Sequence, residues 1–155
     1  MTPKTLIYIA IALIAFEITM SATARAALTG CTINSITSMS FPSYDVFSTS
    51  DSTSTATITI TSCSGSGSMK IGLDKGANGT LTTNRQMIHS GTPADKLTYQ
   101  LYQDAAMTII WGDKTSGTAS FPINGNGTFT VYGKIPFGQD VNIGSYSDTV
   151  SGTVN

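Results

Sequence analysis

His89 is the one histidine of the chain, in residues 87–91 (MIHSG) beside a turn. A nucleophilic triad needs a base and a third group that orients it. Ser90 is only a sequence neighbour of His89, and no G-x-S-x-G elbow occurs anywhere in the chain. The reading for His89 is a solvated loop side chain. Asp74, Asn78 and the glycines around them could form a calcium loop, but the EF-hand pattern of spaced acids closed by a Glu is missing. Arg85, with Asp95, Asp104 and Asp113 downstream, offers ion pairs that would fix loops, each worth under about 1 kcal/mol at a surface. Trp111 with Tyr99, Tyr102 and Tyr132 is the best binding-site candidate by composition. Exposed, the four would suit sugar faces or hydrophobic surfaces; buried, Trp111 would be ordinary core of a β-sandwich. Residues 78–80 and 126–128 (both NGT) match the glycosylation sequon, and read more simply as two-residue Asn-Gly hairpin turns.

The composition limits what elements can position these groups. The 155 residues carry 8 Lys+Arg against 9 Asp+Glu, and 11% of residues are charged. That excludes both an acidic disordered tail and a basic nucleic-acid binder. Residues 6–16 (LIYIAIALIAF) are an apolar run behind Lys4, and Ala24 and Ala26 supply the small residues at the two positions that signal peptidase reads, with Ala27 following. A membrane span needs about 20 apolar residues, and Glu17 stops this run short of that. Residues 1–26 are therefore read as a signal peptide rather than an uncleaved anchor, and residues 27–155 as one exported domain. After residue 26 all acids are Asp and no Glu remains. A chain rich in Ser, Thr and Gly and without Glu is hard to reconcile with surface helices, so the reading is all-β.

Cys31 and Cys63 are the only cysteines. An even count in an exported chain reads as a disulfide, worth about 3–4 kcal/mol in the chain-entropy account. Neither a C-x-x-C nor a nearby histidine supports a metal pair or redox thiol. Strands show by alternation. Residues 56–62 place Ala56, Ile58 and Ile60 on one face and three Thr on the other. Met69, Ile71 and Leu73 repeat the pattern. Leu97, Tyr99 and Leu101 form an apolar row, with Thr98, Gln100 and Tyr102 facing away. Phe129 and Val131 follow the turn at 124–127 (NGNG), and Tyr146, Val150 and Val154 share a parity. Turn signals about every ten residues complete the pattern of a β-sandwich. The polar faces are mostly Thr and Ser, which leaves edges poorly defended against strand pairing.

In order along the chain stand Cys31, residues 41–45 (FPSYD) with Phe41 and Tyr44, Cys63, residues 76–79 (GANG), and residues 85–87 (RQM) with Arg85. Then come residues 97–104 (LTYQLYQD) with Tyr99, Tyr102 and Asp104, and residues 111–113 (WGD) with Trp111 and Gly112. Residues 131–136 (VYGKIP) carry Tyr132, Gly133 and Pro136, and residues 144–150 (GSYSDTV) carry Gly144, Tyr146 and Asp148. In order and spacing this set resembles the spore coat protein U domain family, which is related to subunits of archaic (Csu-type) chaperone–usher pili. The resemblance implies an immunoglobulin-like β-sandwich lacking its final strand. It also implies as partners a periplasmic chaperone that lends a strand, an outer-membrane usher, and a neighbouring pilus subunit whose N-terminal extension replaces the chaperone's strand. It implies no catalytic residue, cofactor or metal, and neither nucleic acid nor a small-molecule substrate.

Two features depart from the family pattern. A donor extension needs roughly 10 residues to cover a groove at about 3.3 Å per residue. Only residues 27–30 lie between the cleavage site and Cys31, and cleavage after Ala22 would add little apolar alternation. The expectation is a chain that accepts a strand but does not provide one, as suits a pilus tip, a minor subunit or a coat protein outside a rod. The family's closing aromatic is also absent from residues 150–155 (VSGTVN), and Gly152 weakens a strand there. Two other functions are weighed against this one. A self-contained secreted coat or matrix protein needs no partner strand. A carbohydrate-binding module or hydrolase is disfavoured by the lone histidine and missing Glu, since most glycosidases use paired carboxylates.

Overall fold

The computed structural model describes residues 8–11, 15–16, 31–64 and 68–155. The signal cleavage site expected at residues 24–27 lies outside them. Among the described residues there is no helix and there are twelve strands. They are β1 (Tyr8–Ile11), β2 (Ala15–Phe16), β3 (Thr32–Ile36), β4 (Met39–Phe41), β5 (Ser52–Thr61) and β6 (Met69–Leu73), followed by β7 (Arg85–His89), β8 (Lys96–Tyr102), β9 (Phe121–Ile123), β10 (Gly127–Ile135), β11 (Tyr146–Thr149) and β12 (Gly152–Val154).

Nine strands form one sheet in the order β2-β4-β1-β11-β7-β8-β10-β5-β3, and three form a second in the order β12-β6-β9. The large sheet curls back on itself. β3 pairs with β5 at one end of the order, and only two residues later the chain starts β4 near the other end. The Thr37 N–H donates to Thr57 O (3.0 Å), and Ser54 Oγ donates to Ser40 O, so this crossing stays tied to β5. The large sheet therefore folds round one face of the core and the small sheet covers the rest, which is the all-β sandwich read from the sequence.

Alternation places the core. Ala56, Ile58 and Ile60 of β5, Met69, Ile71 and Leu73 of β6, and Leu97, Tyr99 and Leu101 of β8 are all buried, as are Val131, Tyr146, Val150 and Val154. Gln100 and Tyr102, expected to face away, are buried as well. The segment after β8 covers them: Trp111 N–H donates to Leu101 O, and Tyr102 bridges to Ile110. The Asn-Gly hairpins do not form. β9 pairs with β6 whereas β10 pairs with β5 and β8, so the 124–126 turn carries the chain between sheets. The 74–84 connection does the same between β6 and β7. Gly152, expected to weaken its strand, sits within β12 opposite Leu73. Cys31 and Cys63 are bonded, closing the open end of the β3–β5 ladder where Thr32 faces Thr61.

Candidate functional site

β4 and β11 do not pair with each other. The space between their edges is occupied by β1, antiparallel to β11 with Tyr8 opposite Thr149, and parallel to β4 with Ile9 opposite Met39 and Ile11 opposite Phe41. Without that segment both strands would present unpaired backbone N–H and C=O groups to solvent. The residues behind this seam hold its two edges in place.

The β4 edge is set by packing. Met39 and Phe41 point inward and are buried, and Pro42 follows with no N–H to continue a ladder. Both side chains lie on Gly133 of β10: a Cβ there would come within 2.7 Å of Phe41 Cζ and closer still to Met39 Sδ. Tyr44 then anchors the chain leaving β4. Its hydroxyl donates to Pro136 O and accepts from Gln139 N–H, both at 2.9 Å.

The β11 edge is held from behind by a buried carboxylate. Asp148 is 2% exposed; Tyr99 Oη donates to its Oδ2 at 2.7 Å, and the N–H and Nδ2 of Asn78 donate to Oδ1 at 3.1 and 2.8 Å. Burial pushes the Asp148 carboxyl up to about 6, although each of these donors favours the charged form. Burial likewise raises Tyr99, and the neighbouring Asp148 charge adds to that. Gly76, at φ +80°, allows the 74–79 loop to wrap this carboxylate; a Cβ at residue 76 would strike Asp148 Oδ2. At the other end of β11, Tyr146 Oη bonds Asp95 Oδ2 and Asn142 O. Burial and the Asp95 bond both raise the Tyr146 hydroxyl, and that hydrogen bond leads those that lower Asp95.

Arg85 joins the layers. It is fully buried. Its guanidinium donates to Asp74 O (2.8 Å), Thr82 O (3.0 Å), Leu73 O (3.1 Å), Trp111 O (2.8 Å) and the Gln100 side-chain oxygen (2.5 Å). Five donors meet five acceptors, the satisfaction that a buried cation requires. Burial lowers its pKa, and the nearby Tyr99, Asp74, Asp148 and Asp113 oppose that shift. The expected ion pairs of Arg85 with Asp95, Asp104 and Asp113 are therefore not formed; its partners are carbonyls. Asp104 instead caps its own turn, accepting from Ile109 N–H and from the N–H and hydroxyl of Thr108. The Ile109 bond is the chief cause of its lowered pKa. The ion pair found among the described residues is Lys134–Asp51, at 3.5 Å.

The model of the Spore Coat Protein U domain matches residues 16–153, nearly all of this chain. The chain belongs to the spore coat protein U domain family. It is also 38% identical over 86 residues to Protein U of Myxococcus xanthus, across 54% of this chain and 47% of that protein. The match thus spans about half the length of that relative.

In this spore coat protein U domain the motif residues work as structure. Trp111 and Tyr99 are fully buried; Trp111 stacks on Phe121 (centroids 4.9 Å) and donates its indole N–H to Ile71 O (2.9 Å). Gly112 leaves the space that Thr118 fills. Tyr132 lies opposite Tyr102 on the strand pair, with Lys134 Nζ 5.5 Å above the Tyr102 ring. These aromatics belong to the fold and do not form an exposed platform. His89 is not a loop residue: it ends β7, half-buried, opposite Tyr146. Its Nδ1 accepts from Gly91 and Thr92 N–H (3.0 and 2.8 Å), so Nε2 carries the proton toward Ile143 O (3.2 Å). Gly144 leaves room for that ring. Asp74 Oδ1 is taken by Gly76 and Ser151 N–H. Among the described residues no group of three His, Cys, Asp or Glu is placed to hold a metal ion. Sequence reasoning missed Asp148 as a buried carboxylate and Gln100 as a buried acceptor for Arg85. The joint presence of residues 76–79 and Asp148 in the family motif was the available signal.

Proposed function

We propose that this chain is an exported, non-enzymatic subunit of a surface assembly, whose sheet is completed at the β4–β11 seam by a strand from another chain. The observation that carries this reading is β1, which fills the seam and pairs on both sides. Removal of residues 1–26 on export takes that strand away. The exported domain then has two edges, preset by Gly133 and Asp148, that gain hydrogen bonds worth about 0.5–1.5 kcal/mol each from any apolar strand of matching register. In transit that strand comes from a periplasmic chaperone, and at the outer-membrane usher from the next subunit of an archaic-type pilus. The short stretch between residues 26 and 31 suits a tip or minor subunit.

The test is periplasmic expression followed by size-exclusion chromatography and thermal melts, with and without a donor peptide from a partner subunit's N-terminal extension. A scrambled peptide is the control. Aggregation or a low melt rescued by the true peptide alone supports strand acceptance. A stable monomer indifferent to both peptides overturns it, and a self-contained coat protein becomes the function.

A further inference from the structure

The loop that follows β4 and the loop that precedes β11 meet beyond the end of the seam and border a cavity of about 340 Å³. That is the small end of the ligand-pocket range of about 300–1,000 Å³, room for one large side chain. Tyr44, Leu97, Val141 and Tyr146 form its inner wall, all buried or half-buried. Phe47 and Ile143 stand at its mouth, 88% and 101% exposed. Neither sits on slack backbone. Ser48 N–H donates to Asp45 O (3.0 Å) and Phe47 N–H to Asp45 Oδ1 (2.9 Å), which fixes the turn carrying Phe47. His89 Nε2 donates to Ile143 O (3.2 Å), and the Tyr44 hydroxyl ties one loop to the other at Pro136 and Gln139. Apolar side chains held out around an apolar cavity mark an interaction site, and their prior ordering lowers the cost of binding.

Charge selects the occupant. Among the described residues the lining carries neither Lys nor Arg, and its one charged side chain is Asp45, whose Oδ2 makes no bond. Asp95 adds a second carboxylate next to the wall: its Oδ2 accepts from Asn142 N–H (2.9 Å) and bonds Tyr146 Oη, both of them lining residues. The basic groups on the strands leading to these loops are engaged elsewhere. Lys96 Nζ donates to Gln86 Oε1 (3.1 Å), Lys134 pairs with Asp51 (3.5 Å), and both ring nitrogens of His89 are bonded to backbone. The cavity is thus apolar inside and negative at its rim.

We infer that this cavity docks a basic, apolar segment of a partner polypeptide. A large apolar side chain enters between Phe47 and Ile143, and a Lys or Arg beside it meets Asp45 in the field of Asp95. A second copy of this chain does not fit, because a two-fold contact would bring the same carboxylates against one another. The contact needs no backbone pairing and does not rest on strand acceptance.

The experiment is NMR titration of the exported chain, alone and with its seam filled by donor peptide, so that a failure of strand acceptance leaves this test in place. The probes are the blocked peptides Gly-Lys-Phe-Lys-Gly, Gly-Glu-Phe-Glu-Gly and Gly-Lys-Ser-Lys-Gly. Saturable millimolar shifts of the Asp45, Phe47 and Ile143 amides are expected with the first, and binding about tenfold weaker or absent with the other two. Phe47→Ser and Ile143→Ser should each weaken the first peptide about fivefold. Asp45→Asn keeps an acceptor for Phe47 N–H and should flatten the salt dependence of binding. Ile109→Ser, exposed on another loop, should change nothing. All four replace exposed side chains, and unchanged melts confirm that the fold is kept. No saturable binding, equal binding of the Glu or the Ser peptide, or binding that survives the three cavity variants overturns the inference. So do shifts of the same amides on raising the protein concentration alone, which would make a second copy the occupant.

Discussion

Asp148 gives the fold a pH dependence opposite to that of an ordinary surface carboxylate. Burial holds its carboxyl near 6 in the folded chain, against a usual 3.8. The folded state therefore binds a proton more tightly than the unfolded state, and the stability this contributes is complete below about 3.8 and lost as pH rises through 6. A difference of roughly two units at 1.36 kcal/mol each sets the full effect at about 3 kcal/mol, of which about 2 kcal/mol is realised between pH 7.5 and pH 4.5. Asp95, Asp104 and Asp113 are shifted the other way, so their contributions fall only once pH approaches the unfolded value near 3.8. Urea melts at pH 7.5 and 4.5 on the wild type and on Asp148→Asn should show the wild type gaining about 2 kcal/mol on acidification, while the variant gains much less. The Asn variant also loses an acceptor for Tyr99 or Asn78, which lowers its stability at both pH values without restoring the slope. Equal slopes in the two proteins, or a wild type indifferent to pH over this range, would refute the reasoning.

Arg85→Lys supplies three donors to five acceptors, so at least two oxygens go unsatisfied. The expected loss is about 2–4 kcal/mol in urea melts, and a loss under about 1 kcal/mol would mean that water replaces the guanidinium. Paired Cys31→Ser and Cys63→Ser replacement should cost about 3–4 kcal/mol, with reducing agent producing the same drop in the wild type and none in the variant. Gly133→Val drives a side chain into Met39 and Phe41, at about 1–3 kcal/mol by thermal melt. Because that displaces β4, it should also weaken donor-peptide affinity, measured by fluorescence anisotropy; unchanged affinity would detach β4 from the seam.

The alternating strands, their inward residues and the disulfide were legible because each depends on local periodicity or on counting. What was not legible depends on contacts distant in sequence. Arg85 looked like a partner for acids because charge is visible in a sequence and carbonyl position is not; four of its five partners are backbone oxygens brought in by β6 and by the segments at 82 and 111. Gln100 and Tyr102 kept an outward parity and were covered all the same, because the 110–111 segment folds over that end of β8. The Asn-Gly pairs carry a real turn preference, but whether a turn joins neighbours in one sheet or changes sheets is decided by the strands on either side. The missing final strand is implied by family resemblance alone, since nothing in the residues of β4 or β11 announces a missing neighbour.

The distribution of polar groups around the seam agrees with what the proposed strand acceptance would demand. An edge that waits for its partner must keep its register while unpaired, or the ordering cost falls on binding. Apolar packing holds β4, through Met39 and Phe41 on a glycine that lets them approach, and Ser54 Oγ donates to Ser40 O beside them. β11 is four residues long and, apart from β1 in the seam, has one neighbour, β7, opposite only part of its length. Directional bonds supply what packing cannot: Tyr99 and Asn78 fix Asp148, and Asp95 and the Asn142 carbonyl fix Tyr146. A buried carboxylate costs stability at neutral pH, and an apolar residue at 148 would pack without that cost. Such a residue, however, would leave the 74–79 loop and Tyr99 without an acceptor, and β11 free to slide by a residue. A one-residue slip would turn Asp148 outward and Ser147 inward and end the fit to an incoming strand. Register, more than stability, is what the buried Asp148 secures.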